Sequence, residues 1–452
     1  MELRHNGMDM LHGPLWNKIL AFTIPLAITS MLQQLYNTTD IMVLGYYEGE
    51  TAMAALGSNI PVIGLIVNLF VGVSLGANVV AARYIGKRDL KNANLTVYTS
   101  LNFALVCGIA IALPGIAFSG DISDLLGCPP DVRPLSVSYL CWIMAGIPFL
   151  SLFNFESALM RSDGDTSTPL KALVIAGVFN LVLDLLCARW LGLGIAGVAA
   201  STSASNALAS AYLFIKLIKN KGVLRFEPSK KGTFEWRKAR AIVLIGLPAG
   251  IQGMVFSVSN LVIQSAINSL GEQTMAASAA AFTIEINVYS FVAGFGMAAT
   301  TFVGQNFGAG NLERCRRVVR VCMGLDAVFT LVLSASVALC GVWLLGFFTS
   351  DQDVIRLGMQ RLIWVQLFDI VCVPFEVLSG AMRGYGWSLP PALATLLCIV
   401  GERLIWIFTV FRAYPSFRNL LITYPVSWAV TLPPIIALYC ILMRKLKRSS
   451  VG

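Results

Sequence analysis

The chain has 452 residues, of which 56% are hydrophobic and 13% charged, and a formal net charge of +9. Soluble globular proteins carry about 25% charged residues, so a string of soluble domains is excluded, although the length alone would allow about three. The positive charge suggests a nucleic-acid partner, but its distribution, given below, assigns it to membrane topology instead.

Apolar stretches of about 20 residues recur from end to end, the length a helix needs to cross a hydrocarbon core about 30 Å thick. Lipid admits only helices or closed barrels, and the runs are continuous rather than alternating, which favours helices. In chain order the predicted spans are residues 15–45, 53–80, 92–118, 134–160, 168–190, 195–218, 241–269, 277–302, 317–348, 357–382, 391–412 and 420–443, twelve in all. Pro25, Pro61, Pro148, Pro248 and Pro374 fall inside spans, where neighbours in a bundle tolerate a kink. The first fourteen residues are polar and mixed, so the apolar run from Leu15 reads as a retained helix and not a cleaved signal peptide. The ten cysteines are scattered singly, with no CxxC pair, and there are two histidines. They read as small packing residues and not as metal ligands.

Seven basic residues lie on one side of this pattern or within helices: Arg133, Arg189, Arg356, Arg361, Arg403, Arg412 and Arg418. The other 26 of the 33 fall at the N-terminus, in and beside the even-numbered loops, and at the C-terminus. The positive-inside rule then places both termini in the cytoplasm of a multi-pass inner (plasma) membrane protein. The opposite loops lean acidic, with Glu48, Glu50, Asp121, Asp124, Asp131, Asp351 and Asp353. No nucleic-acid role is needed. The segment from Lys216 to Arg240 carries nine basic residues and reads as a cytoplasmic linker, with membrane lipid as a further partner of such a segment.

The two halves repeat. Residues 49–55 (GETAMAA) match 271–277 (GEQTMAA), residues 84–90 match 306–312, and Met160-Arg161 with Gly164 and Pro169 match Met382-Arg383 with Gly386 and Pro391, all at one offset of 222. Pro25, Met31 and Asn37 match Pro248, Met254 and Asn260 at 223, which needs one gap. The expected organisation is therefore an N-terminal six-helix lobe over 1–215, the linker over 216–240, and a C-terminal six-helix lobe over 241–452. Six is even, so the repeats are parallel, related by an axis along the membrane normal, an arrangement suited to alternating access around a central cleft. One chain can form the whole cleft, so a monomer is expected.

Carboxylates in spans mark function by default, because each costs about 2.5–3.5 kcal/mol at a helix centre. The first half offers Asp40, Glu156 and Asp184; the second offers Glu285, Asp326, Asp369, Glu376 and Glu402. Gln33, Tyr36, Asn37 and Asp40 are spaced to share one helix face, as are Asn180 and Asp184 at i, i+4. The sixth span holds the run Ser201-Thr202-Ser203-Ala204-Ser205-Asn206. Two carboxylates, an amide and a hydroxyl supply oxygens for a hard cation such as Na⁺; the same acids, removed from water, could carry a proton instead. The bland alternative is polar glue between helices. No GxxxxGK[ST] loop, nucleophile elbow or HExxH motif is present, so neither an ATP-driven pump nor an enzyme is expected, and no cofactor beyond a coupling ion.

Several of these segments together resemble the multidrug and toxic compound extrusion (MATE) family. They are Pro25 with Leu32–Asp40 (LQQLYNTTD), the run Gly304–Gly310 (GQNFGAG), and the paired Arg-x-x-Gly-x-x-x-x-Pro turns at Arg161 and Arg383. The resemblance implies twelve helices in two lobes and antiport of lipophilic, cationic drugs or toxic metabolites against Na⁺ or H⁺. In the DNA-damage-inducible type, which the chain is most similar to, it places a cation site on Asp40, Asn180, Asp184 and Thr202, with Tyr36 and Tyr139 beside it. Gln34, Asn37, Asn154 and Glu156 are further candidates for binding substrate or supporting that site. The NorM-like branch uses acids of the C-terminal lobe, but the matching position here is Cys372, with Asp369 and Glu376 out of register. The competing expectation is a flippase for a lipid-linked or amphipathic substrate, a class that lines its cleft with cationic residues; Arg403 is the arginine placed for such a role.

Overall fold

The computed structural model describes residues 7–220, 224–226 and 234–449. Among them every regular element is a helix, as expected where a bilayer offers no partner for an unpaired backbone group. The first half runs α1 (Trp16–Tyr47), α2 (Glu50–Gly86), α3 (Leu90–Ala117), the short α4 (Ser119–Leu125), α5 (Arg133–Ser162), α6 (Ser167–Leu185) with a π-helical turn (Leu186–Trp190), and α7 (Gly194–Lys219). The second runs α8 (Trp236–Asn268), α9 (Glu272–Gly308), α10 (Leu312–Gly346), α11 (Gln352–Gln366) continuing into α12 (Cys372–Gly384), α13 (Leu389–Thr395) continuing through a π turn (Leu396–Val400) into α14 (Gly401–Trp406) and a second π turn (Ile407–Phe411), and α15 (Phe417–Ser449).

Eleven helices among the described residues are long and apolar enough to cross a membrane. The 26-residue α7 is not one of the eleven; its Ser201–Asn206 run dilutes its hydropathy. Helices commonly outrun the predicted spans, as with 53–80 against Glu50–Gly86 and 277–302 against Glu272–Gly308. Hydropathy marks only the part meant for lipid, while the helix continues through polar turns until a cap stops it. Asp89 caps α3 by accepting from Asn92 N at 3.1 Å, and Asn311 caps α10 by accepting from Arg314 N at 2.9 Å. These caps are 222 residues apart. So are the left-handed residues Gly49 and Gly271 (φ 81° and 99°), which open the two 37-residue helices α2 and α9. A β-carbon would strain that conformation.

The chain forms two compact units, and they are not the linear halves 1–215 and 241–452. One comprises Met1–Asp9 and Ile28–Gly250, the other Met10–Ala27 and Ile251–Gly452. The divisions fall beside Pro25 in α1 and Pro248 in α8. In the first unit, glycines let α2 and the start of α8 touch backbone to backbone: a β-carbon on Gly72 would lie 2.1 Å from Gly250 N, and one on Gly76 2.1 Å from Ile242 O. Small residues are the expected adhesive where lipid is as apolar as the side chains. In the second unit the start of α1 seats Phe22 edge-on to Phe302, ring centroids 5.6 Å apart. Of the expected linker, Lys216–Lys219 closes α7 and Trp236–Arg240 opens α8; residues 221–223 and 227–233 lie outside the described residues.

Candidate ion-binding site

Three helices of the first unit bring the sequence-derived candidates together. Asp40 projects from α1, Asn180 and Asp184 from one face of α6, and Ser201 and Thr202 from α7. Asp40, Asn180 and Asp184 are 4%, 1% and 0% exposed, so whatever balances their polarity must come from the protein or a bound ion. Immediately beyond Asp184, α6 widens into the π turn at Leu186–Trp190, a distortion often found at functional sites.

Thr202 Oγ1 donates to Asp40 Oδ2 at 3.0 Å, and the Ser201 hydroxyl donates to Asp184 Oδ1. Each hydroxyl also stands within reach of the Val198 carbonyl, at 2.9 Å from Ser201 and 3.0 Å from Thr202. A hydroxyl has one proton and two lone pairs. Each can therefore give its proton to the carboxylate, or to Val198 and turn a lone pair inward. The Asn180 amide nitrogen donates to Asp40 Oδ1 at 3.0 Å and to Asp184 Oδ2 at 3.2 Å, bridging the two carboxyls.

The two carboxyls interact directly, and among the described residues no lysine or arginine contributes to the environment of either. Tyr139, 5% exposed on α5, interacts with both acids, and Tyr36, one turn before Asp40, interacts with both from α1. Asn180 and Tyr36 also border a cavity of about 230 Å³ between α1 and α6, otherwise walled mostly by Leu and Val side chains. Among the described residues no group of three or more His, Cys, Asp and Glu could hold a metal. A Na⁺ ion here would rely on amide and hydroxyl oxygens beside the two carboxylates, a donor set of the hard kind it prefers.

The other candidates stand apart from this cluster. Gln34 and Asn37 are exposed on α1, as is Gln33. The Asn154 amide donates to Leu150 O of its own helix at 2.9 Å. Glu156 is 1% exposed, and neither carboxyl oxygen has a hydrogen-bond partner. Ser201 was visible only as part of a hydroxyl-rich run, and its role depends on the α6–α7 packing.

The acids of the second unit are held differently. Arg361 Nε and Nη2 donate to the two Glu285 oxygens at 2.9 Å each. Glu376 accepts from Tyr289 Oη at 2.7 Å and lies 3.7 Å from Arg383 Nη2. Asp326 accepts from Thr330 at 3.2 Å, Asp369 is 3% exposed, and Glu402 accepts from Thr423 at 3.2 Å. Arg361, which the sequence assigned to no site, is thus the counter-charge of Glu285.

The profile of the MatE family matches residues 25–186 and 248–406, which is most of the chain and includes both helices that carry the acids. The chain is 26% identical over 439 residues to the probable multidrug resistance protein YoeA of Bacillus subtilis, covering 95% of this chain and 94% of that one. It is 25% identical over 405 residues to the probable multidrug resistance protein NorM of Thermotoga maritima, covering 88% and 86%. Its fold superposes on an outward-facing multidrug resistance MATE family transporter of the MOP superfamily with a TM-score of 0.89, at 22% identity and covering 98% and 99%. A MOP superfamily transporter from Pyrococcus furiosus, whose pocket is described as of reverse polarity, gives 0.87 at 23% identity, again covering 98% and 99%. With a many-spanned helical fold and a family match over most of its length, the chain belongs to the MATE family of membrane transporters.

Proposed function

We propose that the protein is a secondary antiporter of the plasma membrane that exports lipophilic, cationic drugs or toxic metabolites in exchange for H⁺ or Na⁺, with Asp40, Asn180, Asp184 and Thr202 holding the coupling ion. The observation that carries this reading is the buried Asp40–Asp184 pair, which among the described residues has no basic partner, is bridged by the Asn180 amide and is flanked by two hydroxyls that can turn to Val198. The relatives named as multidrug resistance and export proteins support multidrug export, and cationic substrates are proposed because aromatic and acidic side chains in membrane clefts suit them. In this reading α7 is the twelfth span, both termini are cytoplasmic, the two repeats rock as parallel lobes, and one chain suffices. Ion and substrate compete because each shifts the inward–outward equilibrium only by its differential affinity for the two states.

A flippase is the second reading. It is favoured by two buried arginines in the second unit, Arg361 and Arg403, at 2% and 4% exposure, but Arg361 is neutralised by Glu285, which leaves Arg403 to meet a phosphate. The test is transport in proteoliposomes under imposed H⁺ or Na⁺ gradients. Asp40→Asn and Asp184→Asn should each abolish gradient-driven export of a cationic dye while leaving the protein folded. Wild-type rates in both variants would refute the assignment, and lipid scrambling without dye export would favour the flippase.

A further inference from the structure

The four residues assigned to the coupling site serve its two acids unequally. Asp40 accepts from the Asn180 amide at Oδ1 and from Thr202 at Oδ2, 3.0 Å in each case. Asp184 accepts from the same amide at Oδ2, at 3.2 Å. Its Oδ1 is served by a fifth residue, Ser201 of α7, whose hydroxyl donates to it. With Ser201 included, each carboxyl oxygen has a neutral donor. Ser201 is 2% exposed. One turn of α7 thus holds a hydroxyl for each acid, and both hydroxyls lie within 3.0 Å of the Val198 carbonyl oxygen.

Many hydroxyls on membrane helices only bond back to a carbonyl of their own previous turn, as Thr39 does to Leu35 O at 2.9 Å and Ser290 to Ile286 O at 2.8 Å. Ser201 has a second acceptor, and it is a carboxyl on another helix. A hydroxyl that donates to a carboxylate stabilises its ionised form, which is the form that binds a cation. A protonated Asp184 can also bond to Ser201, but a neutral pair is about half as strong as a charge-assisted one. Turned to Val198, the hydroxyl presents a lone pair, the kind of oxygen a hard cation prefers. Both orientations therefore serve Na⁺, and donation to the carboxylate opposes H⁺. The other titratable groups that face Asp184 are Asp40 and Tyr36 from α1, Tyr139 from α5 and Cys187 from the π turn, and among the described residues none is basic.

We propose that Ser201 is a selectivity-determining residue of the coupling site, tilting it toward Na⁺ and away from H⁺. The proposal rests on the coupling-site reading and deepens it by assigning the choice of ion to a residue outside the four. Asp40 and Asp184 supply negative charge, which either ion neutralises, so charge alone does not distinguish the two. A proton needs a single lone pair of one carboxyl, whereas a hard cation needs several oxygens at once. Deleting the Ser201 hydroxyl removes an oxygen that Na⁺ uses and a donor that favours ionised Asp184. Both losses act in the same direction, against Na⁺ and for H⁺.

The test compares wild type with Ser201→Ala, Ser203→Ala, Asp40→Asn and Asp184→Asn. The melting temperature of each purified protein is followed against Na⁺ concentration at constant ionic strength and at several pH values. Export is measured in proteoliposomes under a Na⁺ gradient alone and under a pH gradient alone. Expected for Ser201→Ala is a Na⁺ concentration for half-maximal stabilisation higher by about tenfold, with Na⁺-driven export lower by about tenfold relative to H⁺-driven export. The pH at which protons displace Na⁺ should rise by about one unit. Ser203, whose hydroxyl donates to Trp142 O at 2.8 Å, is the control, and Ser203→Ala should match wild type throughout. Ser201→Ala with wild-type Na⁺ and pH dependence, while both aspartate variants are inactive, would overturn the selectivity role and leave the coupling site standing. Both aspartate variants with wild-type Na⁺ response and export would remove the coupling site and the selectivity role with it. A Ser201→Ala protein that melts lower without Na⁺ and loses both modes of export equally would show a packing hydroxyl, and a wild type whose melting and export ignore Na⁺ would also overturn the proposal.

Discussion

Replacing Glu285 with Gln removes the negative half of a fully buried ion pair, in which the two side chains are 3% and 8% exposed. The stranded Arg361 guanidinium keeps the Ser278 hydroxyl and the rings of Phe282 and Tyr424, each centred 5.6 Å from its Cζ. Breaking a buried pair by deleting one partner costs about 3–5 kcal/mol, and an unpaired arginine at a helix centre costs about 2.5–3.5 kcal/mol on insertion scales. The two ring contacts are present with and without Glu285 and do not offset this loss, so the variant should lose about 3–5 kcal/mol. Arg361→Met in the same chain removes the stranded charge. The double variant should therefore be more stable than Glu285→Gln alone, with a coupling energy of about 0.5–3 kcal/mol in a double-mutant cycle. The assay is denaturant or thermal unfolding in micelles alongside gradient-driven export, and the double variant should export. If Glu285→Gln is as stable as the wild type but exports nothing, Glu285 is a coupling acid and its pairing with Arg361 is incidental.

Two further predictions concern helix packing and capping. A β-carbon on Gly380 would fall 2.2 Å from Gly296 O, whereas one on Gly57 meets nothing within 4 Å. Gly380→Ala should therefore push α12 off α9 and cost about 1–3 kcal/mol, while Gly57→Ala, in open space on α2, should be neutral or slightly stabilising; equal melting temperatures would refute the close approach. Asp89→Ala removes the α3 cap and should cost about 1 kcal/mol. The Asn92 side-chain amide and backbone N–H hold the Asp89 carboxyl, in the loop before α3, below the usual carboxylate range. Its contribution is thus complete above the unfolded value of about 3.9 and is lost as pH falls through the lower folded value, so the gap between wild type and Asp89→Ala should close only in acid below about pH 4. A gap that persists there would mean that the stabilisation is not carboxylate capping.

The helices were legible because lipid simplifies the code: hydropathy found the cores of α2 and α9 and lost only their polar ends. The 222-residue repeat was also legible, and it reappears in backbone details that no hydropathy window sees, such as the left-handed turns at Gly164 and Gly386. Asp40, Asn180, Asp184 and Thr202 could be named from cost and spacing together with the family's pattern, and the packing of α1, α6 and α7 brings them to one point. Gln34 and Asn37 could not be sorted from Tyr36 in the same way, because a helix face is broad and burial depends on which neighbour covers which half of it. The π turn after Asp184 left no mark in the sequence, since one extra residue in a turn changes neither hydropathy nor composition. The Glu285–Arg361 pair was equally invisible: its members are 76 residues apart, and a counter-charge can only be assigned once both helices are placed.

That pair supports the proposal that coupling belongs to the first unit. Glu285 is neutralised by a guanidinium fixed on it by two hydrogen bonds. It could take up an ion or a proton only by releasing Arg361 into an apolar interior, at the cost worked out above. Glu376 is tied to the Tyr289 hydroxyl and lies beside Arg383, and Asp326 has a single hydroxyl donor in Thr330. Around Asp40 and Asp184, apart from each other, the partners among the described residues are neutral: Asn180 bridges the two, and Ser201 and Thr202 can each turn to Val198. Loading such a site strands no opposite charge, whereas emptying it leaves two acids facing each other out of water, which favours uptake of a proton or a cation. Exchange against substrate then requires that the inward and outward states differ in their affinity for that ion.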